Sequence, residues 1–387
     1  MSHSPLRVAM VGHAFMGRAH SHAWRTAPRF FDLPLRPEMA VVVGRDPRRA
    51  ARAAAELGWA DSSADWREVI ARDDIDLIDV CTPGNTHAQI ATAALAAGKH
   101  VLCEKPMANT LAEAETMAAA AERARAGGTR AMVGFTYRRV PAIGLARRLV
   151  AAGRIGEIRH VRAQYLQDWL ADPEAPMSWR LTKEAAGSGA LGDIGAHIID
   201  LTQYISGTRI TELTGRLATF VTERPLPPGD RDDGPASQAR GTVDVDDSTS
   251  FLATFDGGAL GVFEATRFAT GRKNSIRIEI NGSRGSLAFD FEDMNVLHLF
   301  DSADGQTAGF RRIVVTEPEH PYVAAWWPPG HGLGYEHGFT HQVVDLVTAI
   351  ADGTDPEASF ADGLQVQQVL AAVESSARSR TWHRLPQ

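Results

Sequence analysis

Three polar residues stand in settings suited to moving a proton and a hydride. Lys105 follows a short apolar run in Glu104-Lys105-Pro106, where an ammonium can hydrogen-bond a hydroxyl and favour the alkoxide-like state that alcohol oxidation passes through. Asp193 and His197 lie in a stretch running from Gly187 through Leu191-Gly192-Asp193-Ile194-Gly195-Ala196-His197. Four apart, they share a face of a helix, and the small residues between them leave that face open to a ligand. Oxidising an alcohol needs a base for the hydroxyl proton, and His is the side chain whose pKa lies nearest neutrality. Each residue also has a plainer reading: a surface lysine before a turn, a helix-capping Asp, a buried and satisfied His.

The elements that must hold these groups fall into two rhythms. Strands over 6–11, 40–44, 76–81, 100–103 and 130–134 alternate with helices over 17–27, 47–57, 85–97 and 111–125, the pattern of a doubly wound parallel sheet. Lys105 then falls at the carboxyl end of a strand, where such sheets bind ligands. Directly after the first strand comes Gly12-His13-Ala14-Phe15-Met16-Gly17, a G-x-G-x-x-G pattern with Ala14 at its second glycine. Gly12 permits the tight turn, Gly17 lets the helix pack close to the strand, and the exposed amides at the helix start bind pyrophosphate. The second strand ends in Gly44-Arg45-Asp46. Arg45 suits a 2′-phosphate and Asp46 the ribose hydroxyls, so NAD or NADP remains open.

Beyond residue 130 the rhythm changes to helices over 142–152 and 189–205, then strands over 211–222, 248–255, 259–267, 275–281, 286–291 and 296–300. Turn signals such as Asp256-Gly257-Gly258 separate several of them, so this sheet is expected to be open and largely antiparallel. The fold expected is α/β, with a dinucleotide-binding domain over 1–130 and a substrate-binding and oligomerisation α+β domain over 131–387. Two Pro- and Gly-rich stretches, 223–247 and 317–334, read as long loops, and helices over 337–351 and 363–377 follow.

Taken in order and spacing, the Gly12–Gly17 loop, Glu104-Lys105-Pro106 and the Asp193/His197 helix resemble the glucose-fructose oxidoreductase/inositol dehydrogenase/MocA family over nearly the whole chain. The resemblance implies that Lys105 positions the reacting hydroxyl, His197 accepts its proton, and Asp193 binds substrate and supports the transfer. It implies cofactor contacts from Gly12, Ala14, Phe15, Met16, Gly17, Gly44, Arg45, Glu104 and Lys105. The loop Thr82-Pro83-Gly84-Asn85-Thr86-His87 is similar to the family's Thr-Pro-Asn-x-x-His loop beside the nicotinamide ribose, so Thr82, Pro83, Asn85 and His87 join that set; Gly84 departs from the usual Asn. Tyr165 to Trp169, Ser178-Trp179-Arg180 and the Gly-Ser-Gly-Ala-Leu-Gly-Asp stretch look most like the levoglucosan dehydrogenase branch, which implies a sugar site lined by Tyr137, Gln167, Trp169 and Arg180. Amides, guanidinium groups and phenols hydrogen-bond vicinal hydroxyls, and Trp offers an apolar face to sugar C–H bonds; core packing is the plainer reading of these aromatics.

The expected activity is oxidation of a secondary hydroxyl of a sugar, anhydrosugar or inositol to the ketone with NAD or NADP. The alternatives are a glycoside-cleaving enzyme that oxidises transiently, and a non-catalytic dinucleotide or sugar sensor. A net charge of −7 with scattered arginines argues against nucleic acid, and no apolar run approaches the ~20 residues of a membrane span. Cys81 and Cys103 make neither a disulfide framework nor a zinc spacing. His337 and His341 lack an H-E-x-x-H pattern or a third ligand, so no metal is expected. The start of the chain lacks a secretory pattern, which favours the cytoplasm. An open second sheet favours a homo-oligomer, a dimer or tetramer, built through it.

Overall fold

The computed structural model describes residues 4–227 and 239–386, and packing divides the chain into two units, Met1–Pro141 with Thr316–Gln367 and Ala142–Val315 with Gln368–Gln387. The first contains β1 (Pro5–Val11), α1 (Phe15–Phe30), β2 (Arg36–Val43), α2 (Pro47–Leu57), β3 (Asp61–Ser63), α3 (Trp66–Ile70), β4 (Leu77–Val80), α4 (His87–Ala96), β5 (His100–Cys103), α5 (Leu111–Arg125) and β6 (Ala131–Val133). Its six strands form a sheet in the order β3-β2-β1-β4-β5-β6, with every neighbouring pair parallel. Parallel strands are covered on both faces and so need continuous apolar runs; Val8, Met10, Leu77, Ile78, Val101 and Leu102 are all fully buried. The order reverses between β1 and β4, which opens a ligand crevice beyond the carboxyl ends of those strands. β3 escapes the sequence reading because Asp61-Ser62-Ser63 has no apolar period.

The second unit begins with α6 (Pro141–Ala151) and β7 (Ile158–Leu166), followed by α7 (Lys183–Ala186), α8 (Ala196–Ser206), β8 (Ile210–Ala218), β9 (Glu223–Pro225) and β10 (Arg240–Thr242). Then come β11 (Ser248–Phe255), β12 (Leu260–Thr266), β13 (Ser275–Gly282), β14 (Gly285–Asp290), β15 (Val296–Asp301), β16 (Arg311–Val314) and, near the end of the chain, β17 (His383–Arg384). Nine of these make one sheet in the order β16-β15-β14-β13-β7-β12-β11-β8-β17. Neighbours run antiparallel except β7 and β12, which run parallel. β7 was not expected, yet it is central: Val161, Ala163 and Tyr165 point into the core, while Arg162 between them is exposed.

The stretch 223–247 corrects the expectation of one long loop. β9 and β10 pair there as an antiparallel ribbon; residues 228–238 lie outside the described residues. Arg224 anchors the ribbon from a fully buried position, donating to the Asp172 and Leu170 carbonyls at 2.7 Å each. Leu170, Leu181, Val243 and Val245 form a small core of their own, which the local Pro, Gly and Asp content hides.

The stretch 317–334 is a loop with one helical turn at Val323–Ala325, leading to α9 (Tyr335–Asp352) and α10 (Phe360–Ser379). Trp326 Nε1 donates to His341 Nε2 at 2.7 Å and the Tyr322 hydroxyl to Asp345 at 2.8 Å, which ties this loop to α9. α9 packs on α1, and Ser359 bridges to Met132 of β6. Packing therefore does not divide the chain at residue 130, since the segment from Thr316 to Gln367 returns to the first unit.

Candidate active site

At the carboxyl end of β1 the chain turns through Gly12 at φ +100°, where a Cβ would stand 2.7 Å from the Cys81 carbonyl oxygen. A Cβ on Gly17 would collide with the Gly12 carbonyl oxygen, so α1 starts tight against the strand. Ala14 is its N-cap; no side chain caps the helix and no acid stands in its first turn. Free amides at the positive end of a helix dipole suit a diphosphate, so the loop fits a dinucleotide. Ala14 and Phe15 are exposed and Met16 is half-buried. At the end of β2, a Cβ on Gly44 would collide with the His13 ring. Asp46 is engaged as the cap of α2, accepting from the Arg48 and Arg49 amides at 2.9 and 3.1 Å. The Arg49 amide holds its carboxyl below the ordinary value. Arg45 is exposed at the same strand end.

The loops after β4 and β5 are joined through His87, which is buried with one ring nitrogen 2.8 Å from the Thr82 carbonyl and the other 3.1 Å from that of Pro106. Burial lowers its pKa, and a neutral imidazole donates to only one of the two carbonyls. His87 therefore braces Thr82-Pro83 against Lys105-Pro106, both its nitrogens turned to backbone; Asn85 beside it is exposed. At Gly84 a Cβ would collide with Oδ1 of Asn109, so the Asn109 carboxamide occupies the volume a side chain at 84 would need.

Around Glu104 lies a network that the sequence did not announce. His20 of α1 is buried between two acids, Nδ1 at 2.9 Å from Asp79 Oδ1 and Nε2 at 3.0 Å from Glu104 Oε1. Trp24 Nε1 donates to the other Asp79 oxygen at 2.7 Å. Burial alone would press the imidazole pKa down; the Asp79 carboxylate overcomes it and holds His20 well above its ordinary value. Glu104 Oε2 accepts from the Lys105 amide at 3.2 Å, and a Cβ on Gly134 would stand 2.6 Å from Oε1. Tyr137 is buried, with its ring 6.3 Å from that of Tyr335, another residue the sequence reading missed. Burial raises the pKa of the Tyr335 phenol.

The second unit gathers the other candidates. The stretch expected as one helix over 189–205 opens with a π-turn, Leu191–Gly195, before α8. It carries Asp193, half-buried, and His197, 7% exposed, whose ring lies 5.8 Å from that of Tyr165. From the end of β7, Gln167 donates to Asn274 Oδ1 at 2.8 Å and accepts from Trp169 Nε1 at 3.0 Å. The Tyr165 hydroxyl donates to the same Asn274 oxygen at 2.6 Å, which makes Asn274 the unforeseen hub of this face. Arg180 stacks on Trp179 with its guanidinium carbon 4.4 Å from the ring centre. Trp169 and Trp179 are 44% and 41% exposed, so neither is a core residue.

Residues 6–135 match the oxidoreductase family with an NAD-binding Rossmann fold, and residues 143–288 match the GFO/IDH/MocA C-terminal domain. The chain belongs to the Gfo/Idh/MocA family of oxidoreductases, and its first unit is an NAD-binding Rossmann domain. Levoglucosan dehydrogenase of Pseudarthrobacter phenanthrenivorans is 42% identical over 99% of this chain and 98% of its own. The scyllo-inositol 2-dehydrogenase (NAD(+)) of Bacillus subtilis is 30% identical over 73% of each. Among solved structures, an oxidoreductase domain protein from Kribbella flavida superposes with a TM-score of 0.95 at 70% identity, covering 99% of this chain and all of that one. Levoglucosan dehydrogenase in complex with NADH and levoglucosan superposes at 0.93 with 41% identity, again over 99% of this chain and the whole of that one. Among the described residues no helix is long and apolar enough to cross a membrane.

Proposed function

We propose that this protein oxidises a secondary hydroxyl of a sugar to the ketone, with an anhydrosugar of the levoglucosan kind as first candidate and pyranoses or inositols as related substrates. The observation that supports this reading is a cluster in the second unit, where Tyr165 meets both the His197 ring and Gln167, and Gln167 in turn meets Trp169. His197 accepts the hydroxyl proton, and Asp193 binds substrate and supports that transfer. Lys105 donates to the reacting oxygen and stabilises its developing negative charge. Tyr137, Gln167 and Arg180 hydrogen-bond the remaining hydroxyls, while Trp169 lies against C–H bonds. When bound, the nicotinamide supplies the hydride acceptor. NAD is the dinucleotide assigned, because NADH occupies the levoglucosan dehydrogenase complex; exposed Arg45 makes NADP the alternative to assay.

The same reading places the protein in the cytoplasm as a homo-oligomer, a dimer or tetramer. Leu252, Leu260 and Val262 are 48%, 59% and 43% exposed on β11 and β12, an apolar patch suited to burial against a second sheet. Light scattering tests the assembly; a monodisperse monomer contradicts it. The activity is tested by reduction of NAD and NADP, followed at the nicotinamide absorbance band, across levoglucosan, glucose, glucosides and inositols. Growth with one sugar supports the reading. Silence across the panel despite tight dinucleotide binding replaces it with transient-redox glycoside cleavage or a sensor.

A further inference from the structure

The second unit holds an arginine to which the proposed chemistry gives no task. Arg267, just past β12, is fully buried. Its Nη2 donates to the Asp246 carbonyl at 2.9 Å and lies 3.9 Å from Asp247 Oδ1. Its Nη1 donates to the Arg180 carbonyl at 3.5 Å and lies 3.9 Å from Asp193 Oδ2. The guanidinium carbon stands 5.6 Å from the centre of the Trp169 ring. A cation taken out of water is costly unless several acceptors share its charge. Here the groups around it include the Trp169 ring, the Arg180 carbonyl and the Asp193 carboxylate, and all three residues are assigned to the sugar.

The same corner shapes the turn that bears Asp193. The Asp246 carboxylate accepts from the Gly189 and Leu191 amides at 2.7 Å each, and the Ala190 amide donates to the Asp246 carbonyl at 2.9 Å. A Cβ on Gly189 would collide with that carbonyl oxygen, so only glycine lets the chain pass. Three consecutive amides are thus held at the entry to the π-turn of Leu191–Gly195, the last of them on its first residue. A π-turn inserts one residue into the helical repeat and re-aims the side chains around it, and such turns concentrate at functional sites. Asp246 fixes the backbone at the start of the turn, and Arg267 meets the carboxylate it presents.

We infer that Arg267 is a positioning residue for sugar recognition, holding Asp193, the Arg180 backbone and Trp169 in one arrangement. The inference rests on the reading of Asp193 and His197 as substrate-handling groups. An arginine suits the task because the two terminal nitrogens of its planar fork each take a backbone carbonyl, Arg180 on one side and Asp246 on the other, while Nη1 also faces the Asp193 carboxylate, a span that the single ammonium of lysine cannot copy.

The test compares Arg267→Met and Arg267→Lys with the wild type, using levoglucosan and NAD for kcat and KM, fluorescence titration for NADH affinity, and a crystal structure of Arg267→Met. Displacement of a substrate-orienting group by about 1 Å costs about 100-fold, so Arg267→Met is expected to lose about 100-fold in kcat/KM with KM raised. NADH affinity stays at the wild-type value, because the glycine loop belongs to the first unit. Arg267→Lys recovers part of the loss, and the crystal structure shows the Asp193 carboxylate displaced. A purely structural role would lower the active fraction, and with it kcat, while leaving KM alone. Wild-type KM in Arg267→Met, or an unmoved Asp193 carboxylate, overturns the inference. A wild type inactive on the whole sugar panel defeats the functional reading instead, and the crystal structure then still decides whether Arg267 holds Asp193.

Discussion

Replacing His20 with Phe removes a ring that stands between two buried carboxylates and leaves its shape nearly unchanged. Both hydrogen bonds vanish, 2.9 Å to Asp79 and 3.0 Å to Glu104, and the acids are left facing an apolar ring. Hydrogen bonds to charged groups contribute about 1.5–3 kcal/mol each, and removing one partner of a buried pair costs about 3–5 kcal/mol. We expect His20→Phe to lose about 3–5 kcal/mol in the first unit. Urea unfolding followed by hydrogen exchange on peptides of that unit measures it, which avoids treating a two-unit chain as one transition. The pH dependence carries a sign. With its pKa raised in the folded state, His20 stabilises fully below its unfolded value of about 6.5, and that contribution fades as pH rises through the folded value. The gap between wild type and His20→Phe therefore narrows in alkali. A loss under about 1 kcal/mol, or a gap that widens with rising pH, refutes a charged His20 held between two acids.

His197→Ala should lower kcat by about 10²–10⁴-fold, the usual worth of general base catalysis, with NADH affinity unchanged by titration; an unaltered kcat reassigns the base. Gly12→Ala places a Cβ on a φ of +100° and 2.7 Å from the Cys81 carbonyl oxygen, so NADH binding should weaken by about 1–3 kcal/mol in strain alone; fluorescence titration gives the number, and wild-type affinity would contradict it. Burial pushes the His341 pKa down to about 3, so the folded state resists its protonation. Stability is complete above the unfolded value of about 6.5 and is lost as pH falls below it. His341→Gln, which keeps an acceptor for the Trp326 N–H, should flatten the acid side of a melting-temperature profile, and an identical acid slope in both proteins would exclude this ring as its source.

What was legible in the sequence was local. The helices over Pro47–Leu57 and Leu111–Arg125 and the strand over Ser248–Phe255 have the expected bounds, because caps and apolar periods within a few residues set them: Asp46 and Gly58 for one helix, the Thr110/Glu113 capping box for the other. What was hidden is long-range. His20 finds its acids 59 and 84 residues away, and nothing near His20 marks it. The available signal lay at the other end: Asp79 interrupts the apolar run Leu77-Ile78-Asp79-Val80, and an acid buried in a parallel strand needs a partner. Arg267, directly after the apolar strand β12, posed the same question. β9 and β10 were lost for a different reason, since three-residue strands in polar surroundings carry no period to detect. The glycine loop was readable because it rests on residues close in the chain; the Asp193/His197 spacing is equally local, but the π-turn that carries Asp193 left no mark in it. Asn274, which gathers Tyr165 and Gln167, had no such pattern.

Gly84 and Asn109 compete for one volume, and that ties their evolutionary fates. A single change to Asn at 84, the residue usual in the family, must evict an amide already resident there, while loss of the 109 side chain leaves a hollow in the loop. Either change alone disturbs the loop and the two together restore its filling, so the pair should show sign epistasis. Transplanting this loop into a relative, or a relative's loop into this protein, succeeds only when both positions travel together.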